Sequence, residues 1–436
     1  MVTLTFRDRD NLGHFDLGSL EIYIRTSVHG LGSQMLEKLL NADGGDYRGR
    51  ILRDEQGNSY EFQEYRDKEL LTVLGPLKVK RAYYYDQISK KGWCPKDTAI
   101  DIEGTSYSPG VKRIMSRVGA CRPFGIGQKE IKELSGIEVN AKAIERESYK
   151  LGTEVETFNK REDEQPLADR TAITQAEKPI PKMYICMDGT GVPAVKTETA
   201  NRSGKNTAEA KTREAKLGCV FTQTAVDEKG RPVRDEGSTS YVGAIETAEA
   251  LGSRIYKEAK SRGLERAENV CVIGDGAPWI WNIADEQFYG ATQIIDLCHA
   301  REHYWNVARA VFANDQKGQD RWTKKRREEL NRGDVGKVIA AIKRLKPATE
   351  EGKEAVSSEL GYFERNKERM RYADFRRQGL FVGSGVVEAG CRTVIGQRLK
   401  QSGMRWTVRG ANNIIALRCC LLSNRWEDFW EYRAAA

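Results

Sequence analysis

Three acidic residues in this chain have the neighbours and spacing that divalent-metal chemistry requires. Asp188 follows the apolar run MYICM and precedes Gly-Thr-Gly, and Asp275 follows VCVIG and precedes Gly-Ala. A carboxylate at the carboxyl edge of a buried strand, beside glycines that admit a ligand, is where α/β sheets build their sites. Each Asp-Gly alone reads as a turn. Two of them, ending the two most apolar strand-like runs of one region, point to a shared site. Carboxylates on neighbouring strands can hold hard divalent cations through oxygen ligands. The third acid is Glu388, in GSGVVEAGCRTVIGQRLKQSG, where Ser384 is suited to cap a helix bearing Glu388 and, four residues on, Arg392. With two Mg²⁺ (or Mn²⁺) ions about 4 Å apart, one activates an attacking hydroxyl and the other stabilises the leaving oxygen. No nucleophilic side chain is then needed, and none stands out.

Glu388 sits in unusual company. From Arg376 to Arg425 there are nine Lys/Arg and no acid besides Glu388, so this stretch carries +8, as large as the excess of the whole chain. Such a stripe is the footprint of a polyanion site, although a charge run by itself is more often a solvated helix face. Arg392, Arg398, Lys400, Arg405 and Arg409 are the candidate phosphate contacts, and Trp406 is a candidate for packing against a DNA end. Trp279 and Trp281 read as core. Lys216 and Arg213 could touch a phosphate or simply end a strand. His299 and His303 stand at i, i+4, a spacing able to ligate a metal, but only Cys298 accompanies them. Asp296 is a weaker fourth acid.

The elements that must position these residues follow from the pattern along 436 residues, of which 39% are hydrophobic and 8% aromatic. That content excludes wholesale disorder and supports several domains. No apolar run approaches the ~20 residues of a membrane span. The N-terminus lacks a signal-peptide core. A cytoplasmic protein with no membrane partner is expected. The nine cysteines include no C-x-x-C, so a structural zinc built on cysteine pairs is disfavoured. Residues 1–105 read as a β-rich N-terminal region, because 59–85 is rich in strand formers around Leu-Gly-Pro. Residues 106–155 read as three short helices forming a helix-turn-helix-like unit, or equally an ordinary bundle. Residues 156–180 read as a polar linker. Strand-like segments at 183–187, 216–226, 239–243, 270–274 and 292–297, with a helical stripe at 243–263, predict an α/β domain with a mixed sheet over 181–298. Residues 299–380 read as an all-helical insertion, and 381–436 as the C-terminal part of the core, carrying the Glu388 helix. Two strand-borne acids and one on a later helix describe the metal triad of an RNase H-like core.

MDGTGVP, GDGAPWIWNIADEQF, IIDLCHAREH and GSGVVEAGCRTVIGQRLKQSGMRW occur in that order. From about residue 50 onward the chain resembles the DDE transposases of bacterial insertion sequences, specifically the Kra group of the Mutator-like superfamily. The resemblance implies Asp188, Asp275 and Glu388 as the catalytic and metal-binding triad, and an RNase H-like core interrupted by a helical insertion. It also implies that Cys298, His299 and His303 order the site from nearby. The partners it implies are double-stranded DNA, both terminal inverted repeats and target, and further copies of the chain in a synaptic complex, in a bacterial, nucleoid-associated setting. One departure is 83–95, where relatives often carry a Cys-rich knuckle and this chain has only Cys94. Three alternatives stand beside this reading: an RNase H-like metal-dependent nuclease, a catalytically retired DNA-binding protein, and a two-carboxylate glycoside hydrolase. The last leaves the basic stripe unexplained.

Overall fold

The computed structural model describes residues 16–164, 179–204 and 209–435. It divides into two compact units, one up to Glu147 and the other from Ser148. Among the described residues no helix is long and apolar enough to cross a membrane. Most of the linker expected over 156–180 lies outside the described residues. Its first residues, to 164, instead continue the helix Ala141–Glu164.

The first unit holds an antiparallel sheet of β1 (Ile51–Arg53), β2 (Ser59–Thr72), β3 (Gly75–Asp86) and β4 (Lys91–Trp93), in that order. Gly75, at φ +118°, closes the β2–β3 turn in a conformation that favours glycine. Residues 1–105 are not only strands, because a 24-residue helix, Leu17–Leu40, precedes the sheet. Leu36 and Leu40 of that helix pack on the Leu70, Leu77, Val79 and Ile102 cluster, while Leu17, Ile22, Val28 and Met35 stay exposed. Its apolar residues are spread around the helix, so no single stripe marks it in the sequence. The helices Pro109–Cys121 and Phe124–Ser135 and the start of the next share one core, built on Val111, Met115, Ile131, Ile137 and Ile144. Ser108 caps the first of these ahead of Pro109, and Gly136 ends the second in the left-handed region.

The second unit is mixed α/β. Its five-stranded sheet runs β11 (Thr292–Ile295), β10 (Ala267–Gly274), β5 (Ile180–Pro193), β6 (Thr212–Gln223), β9 (Ser240–Ala244). A two-stranded ribbon, β7 (Ala225–Val226) and β8 (Pro232–Val233), extends from the end of β6. β5, β6 and β9 are antiparallel neighbours, whereas β10 and β11 run parallel to β5. Met183–Met187 and Cys271–Ile273 are fully buried, which is why these runs show no polar alternation. Gly218 in β6 leaves room for Ile255 of the helix Ala248–Ser261, since a Cβ there would meet it at 2.4 Å. Between β11 and the Glu388 region the chain is helical: Leu297–Val311, Gln316–Asn331, Val335–Lys343, Glu350–Arg365 and Tyr372–Arg377.

Candidate active site

Asp188 does not end its strand, as the sequence suggests, but lies within β5, which continues to Pro193. The reason is asymmetric pairing. β5 stays bonded to β6 through Pro193↔Thr212, while its pairing with β10 stops at Cys186↔Ile273. Asp188 therefore sits where β5 loses its parallel neighbour, and Asp275 follows directly on the end of that neighbour. Burial pushes the Asp188 carboxyl above its ordinary value. Asp275 adds to the rise, while hydrogen bonds from Cys391 and the Gly189 amide, and the His299 ring, oppose it.

Because the folded-state value is raised, the ionised form of Asp188 opposes folding. The stability associated with its proton is present below the unfolded-state value and lost as pH rises through the folded one. Asp188→Asn should therefore raise the melting temperature of metal-free protein at pH 7, by about 2–4 °C for each kcal/mol relieved. The gain should vanish below pH ~4. Thermal melts of both proteins across pH check this, and an equal or lower melting temperature for Asp188→Asn at pH 7 rejects the strained carboxylate.

Asp275 opens a tight turn. Its Oδ1 accepts the Ala277 amide at 2.8 Å, and its carbonyl accepts the Tyr362 hydroxyl at 2.8 Å. Burial, followed by the charge of Asp275, holds the Tyr362 phenol well above its ordinary value, so it remains a donor.

Glu388 lies on the short helix Gly385–Gly390, which passes into a π-helical turn over Cys391–Gly396. Such turns recur at functional sites. Ser384 is at the cap position but makes no side-chain cap bond. Its hydroxyl instead donates to Glu388 Oε1 at 2.7 Å. Asp296, 1% exposed, caps the helix Leu297–Val311 through the His299 amide at 2.9 Å and also accepts the Ser384 amide, which ties the start of the Glu388 helix to it. His299 Nε2 stands 3.9 Å from Glu388 Oε1. One ligand-type atom from each of Asp296, His299 and Glu388 lies within 4.8 Å of the others. The whole helix is seated by Gly390, where a Cβ would meet the Tyr241 ring at 2.6 Å and Leu217 at 3.1 Å. Gly390→Ala should cost about 1–3 kcal/mol, the usual penalty of overpacking, and displace Glu388. Denaturant melts with an activity assay check it, and a neutral variant would show that the helix shifts freely.

Among the described residues the group of ligand-type atoms close enough to share one ion is thus Asp296, His299 and Glu388, and not the expected set of Asp188, Asp275 and Glu388, of which Asp188 lies within β5 and Asp275 directly after the neighbouring β10. No protein-family model and no curated protein matches this sequence.

The remaining candidates separate. His303 does not reach the acids: its Nδ1 pairs with Glu359, and its ring stacks on Tyr362 with centroids 3.5 Å apart. Cys298 is exposed, and burial of its sulfur together with the Asp296 charge keeps its thiol up, which disfavours a thiolate ligand. Trp281 is buried, and Lys216 stands over the Trp279 ring at 5.6 Å.

In the basic stripe Arg392, Lys400, Arg405 and Arg409 are exposed. Lys400 reaches Thr190, two residues past Asp188. Two expectations need correction. Arg398 has no exposed surface and stacks over the Trp406 ring at 4.9 Å, and Trp406 is 6% exposed with its indole N–H on the Leu399 carbonyl at 3.0 Å. Neither faces a DNA surface, because a guanidinium stacked on an indole forms part of the interior here. Sequence reasoning did not pick out Cys391 or Tyr362. Cys391 had a signal, standing one helical turn after Glu388, whereas Tyr362 had none.

Proposed function

We propose that this chain is a DNA transposase of the DDE type, binding the terminal inverted repeats of its insertion sequence and catalysing strand cleavage and strand transfer. The observation that carries the reading is the placement of Asp188 where β5 loses its parallel neighbour, of Asp275 directly after that neighbour ends, and of Glu388 one helical turn before Cys391, which hydrogen-bonds Asp188. Three antiparallel strands continued by two parallel ones also support an RNase H-like core, and the helices between Asp275 and Glu388 support an insertion within it.

The donor set suits Mg²⁺ or Mn²⁺, whose preferred ligands are carboxylate oxygens. A carboxyl raised by burial, with a second carboxylate adding to the rise, is a group whose ionised form a divalent cation stabilises. Asp188, Asp275 and Glu388 would hold two such ions, which when bound supply an activated hydroxyl and stabilise the leaving oxygen. The chain's own groups do the rest. Asp296 and Ser384 hold Glu388 in one orientation, the first through the backbone and the second through its hydroxyl. Lys400 beside Thr190, with Arg392, Arg405 and Arg409, would bind backbone phosphates and set the register of the duplex without reading its sequence. The helices between 109 and 147 would supply the repeat-specific contacts. Several copies would assemble on paired ends, and a DNA partner would put the protein on the nucleoid.

The test is incubation with Mg²⁺ and labelled DNA carrying the repeats that flank its own gene, together with a target plasmid. Cleavage at the repeat boundary followed by joining to the plasmid is expected. Cleavage without joining would make it a nuclease, and binding without cleavage would make it a DNA-binding protein only.

A further inference from the structure

The helical insertion reaches back to the site at one point. Tyr362, on the helix Glu350–Arg365, lies 87 residues from Asp275 in sequence. Its hydroxyl donates to the Asp275 carbonyl at 2.8 Å, and its ring lies on the same turn. Gly276 has φ +108°, and a Cβ there would meet the ring at 2.5 Å. Two further side chains hold the phenol. The His303 ring is stacked on it at 3.5 Å, inclined by 20°, and Glu359, one turn before Tyr362, takes the His303 Nδ1–H. Glu359 also accepts the Asn306 amide at 2.9 Å, which ties it to the helix Leu297–Val311. That helix begins at Asp296 and carries His299, so its first turn belongs to the Glu388 side of the site while its second braces Tyr362.

We propose that Tyr362 is a positioning residue for Asp275, and that His303 and Glu359 hold it in place, so that the helical insertion sets the geometry of the second acid rather than merely spacing it from the third. The inference rests on the reading of Asp275 as a metal ligand. The Asp275 carboxylate is held locally by the Ala277 amide on Oδ1, but the turn that carries both lies past the last sheet bond of its strand and can shift as a unit unless something outside the strand fixes it. The phenol does so through the main chain, without occupying either carboxylate oxygen. Partners that orient a ligand in this way commonly contribute 10–100-fold to metal affinity.

The experiment compares wild type, Tyr362→Phe and Tyr372→Phe in the full chain. Tyr372 is a second buried phenol of the insertion, and its hydroxyl has no partner among the described residues. Hydrogen exchange on metal-free protein reads the Gly276 and Ala277 amides, and Mn²⁺ titration followed by electron paramagnetic resonance reads the site. In Tyr362→Phe the turn amides should exchange roughly 2- to 10-fold faster, the range that one lost hydrogen bond allows. Mn²⁺ affinity should fall roughly 10-fold. Tyr372→Phe should change neither. Unchanged exchange in Tyr362→Phe overturns the clamp, as does an equal loss of Mn²⁺ affinity in both variants, which would mark a general packing effect. Wild type that binds no Mn²⁺ overturns instead the metal-site reading on which the inference stands.

Discussion

Replacing Asp188, Asp275 or Glu388 singly by Ala should lower Mg²⁺-dependent cleavage of terminal-repeat DNA at least about 10³-fold, because the metal's charge stabilisation supplies several kcal/mol and each 1.4 kcal/mol is tenfold. Duplex affinity should stay within a few-fold of wild type, since none of the three is a phosphate contact. Asp296→Asn should do less, roughly 10- to 100-fold, as expected of a group that holds the Ser384 turn rather than the metal. Single-turnover cleavage and gel-shift affinity on the same DNA check both statements. A Glu388→Ala protein that cleaves at the wild-type rate would leave the site with two strand-borne acids and remove it from this class of chemistry.

The basic stripe should split into two classes of residue. Arg405 and Arg409 are exposed, so replacing both by Ala should flatten the log–log salt dependence of duplex binding by roughly two units, at about 0.9 per phosphate contact. Affinity should fall alike on cognate and scrambled DNA. Arg398→Ala should leave the slope alone and destabilise the fold, because it empties a space between Trp406 and Met404 in the interior. A loss of ~3 kcal/mol is typical for such a truncation, which is ~6–12 °C in melting temperature for a domain of this size. Salt titrations paired with thermal melts separate the classes. A flattened slope in Arg398→Ala, with unchanged stability, would mean that the Arg398–Trp406 stack opens onto DNA.

Much of the second unit was legible in the sequence for a simple reason. A strand covered on both faces cannot alternate polar and apolar residues, so MYICM and VCVIG stand out as uninterrupted runs, and the acids that follow them are the first polar groups the chain can offer. The mixed α/β class follows from those runs and the helical stripe between them. The helix Leu17–Leu40 was not legible, because its apolar residues do not gather on one face and the Leu36 and Leu40 contacts depend on a sheet formed later in the chain.

By itself, then, the sequence determined which residues are available for chemistry and on which kind of element each is carried, because periodicity and local turn signals are properties of neighbouring residues. Only the tertiary structure decided which of them meet. It placed Asp188 within its strand, because β10 ends one strand over. It tied Ser384 to Asp296, because the amide of a segment 88 residues away reaches the buried carboxylate that caps the helix Leu297–Val311. It took Arg398 and Trp406 out of the DNA-facing set, because a basic side chain reads the same in sequence whether it lies in solvent or against an indole. And it brought Tyr362 to the Asp275 turn across 87 residues, a contact written in no local pattern because it exists only when the insertion is packed.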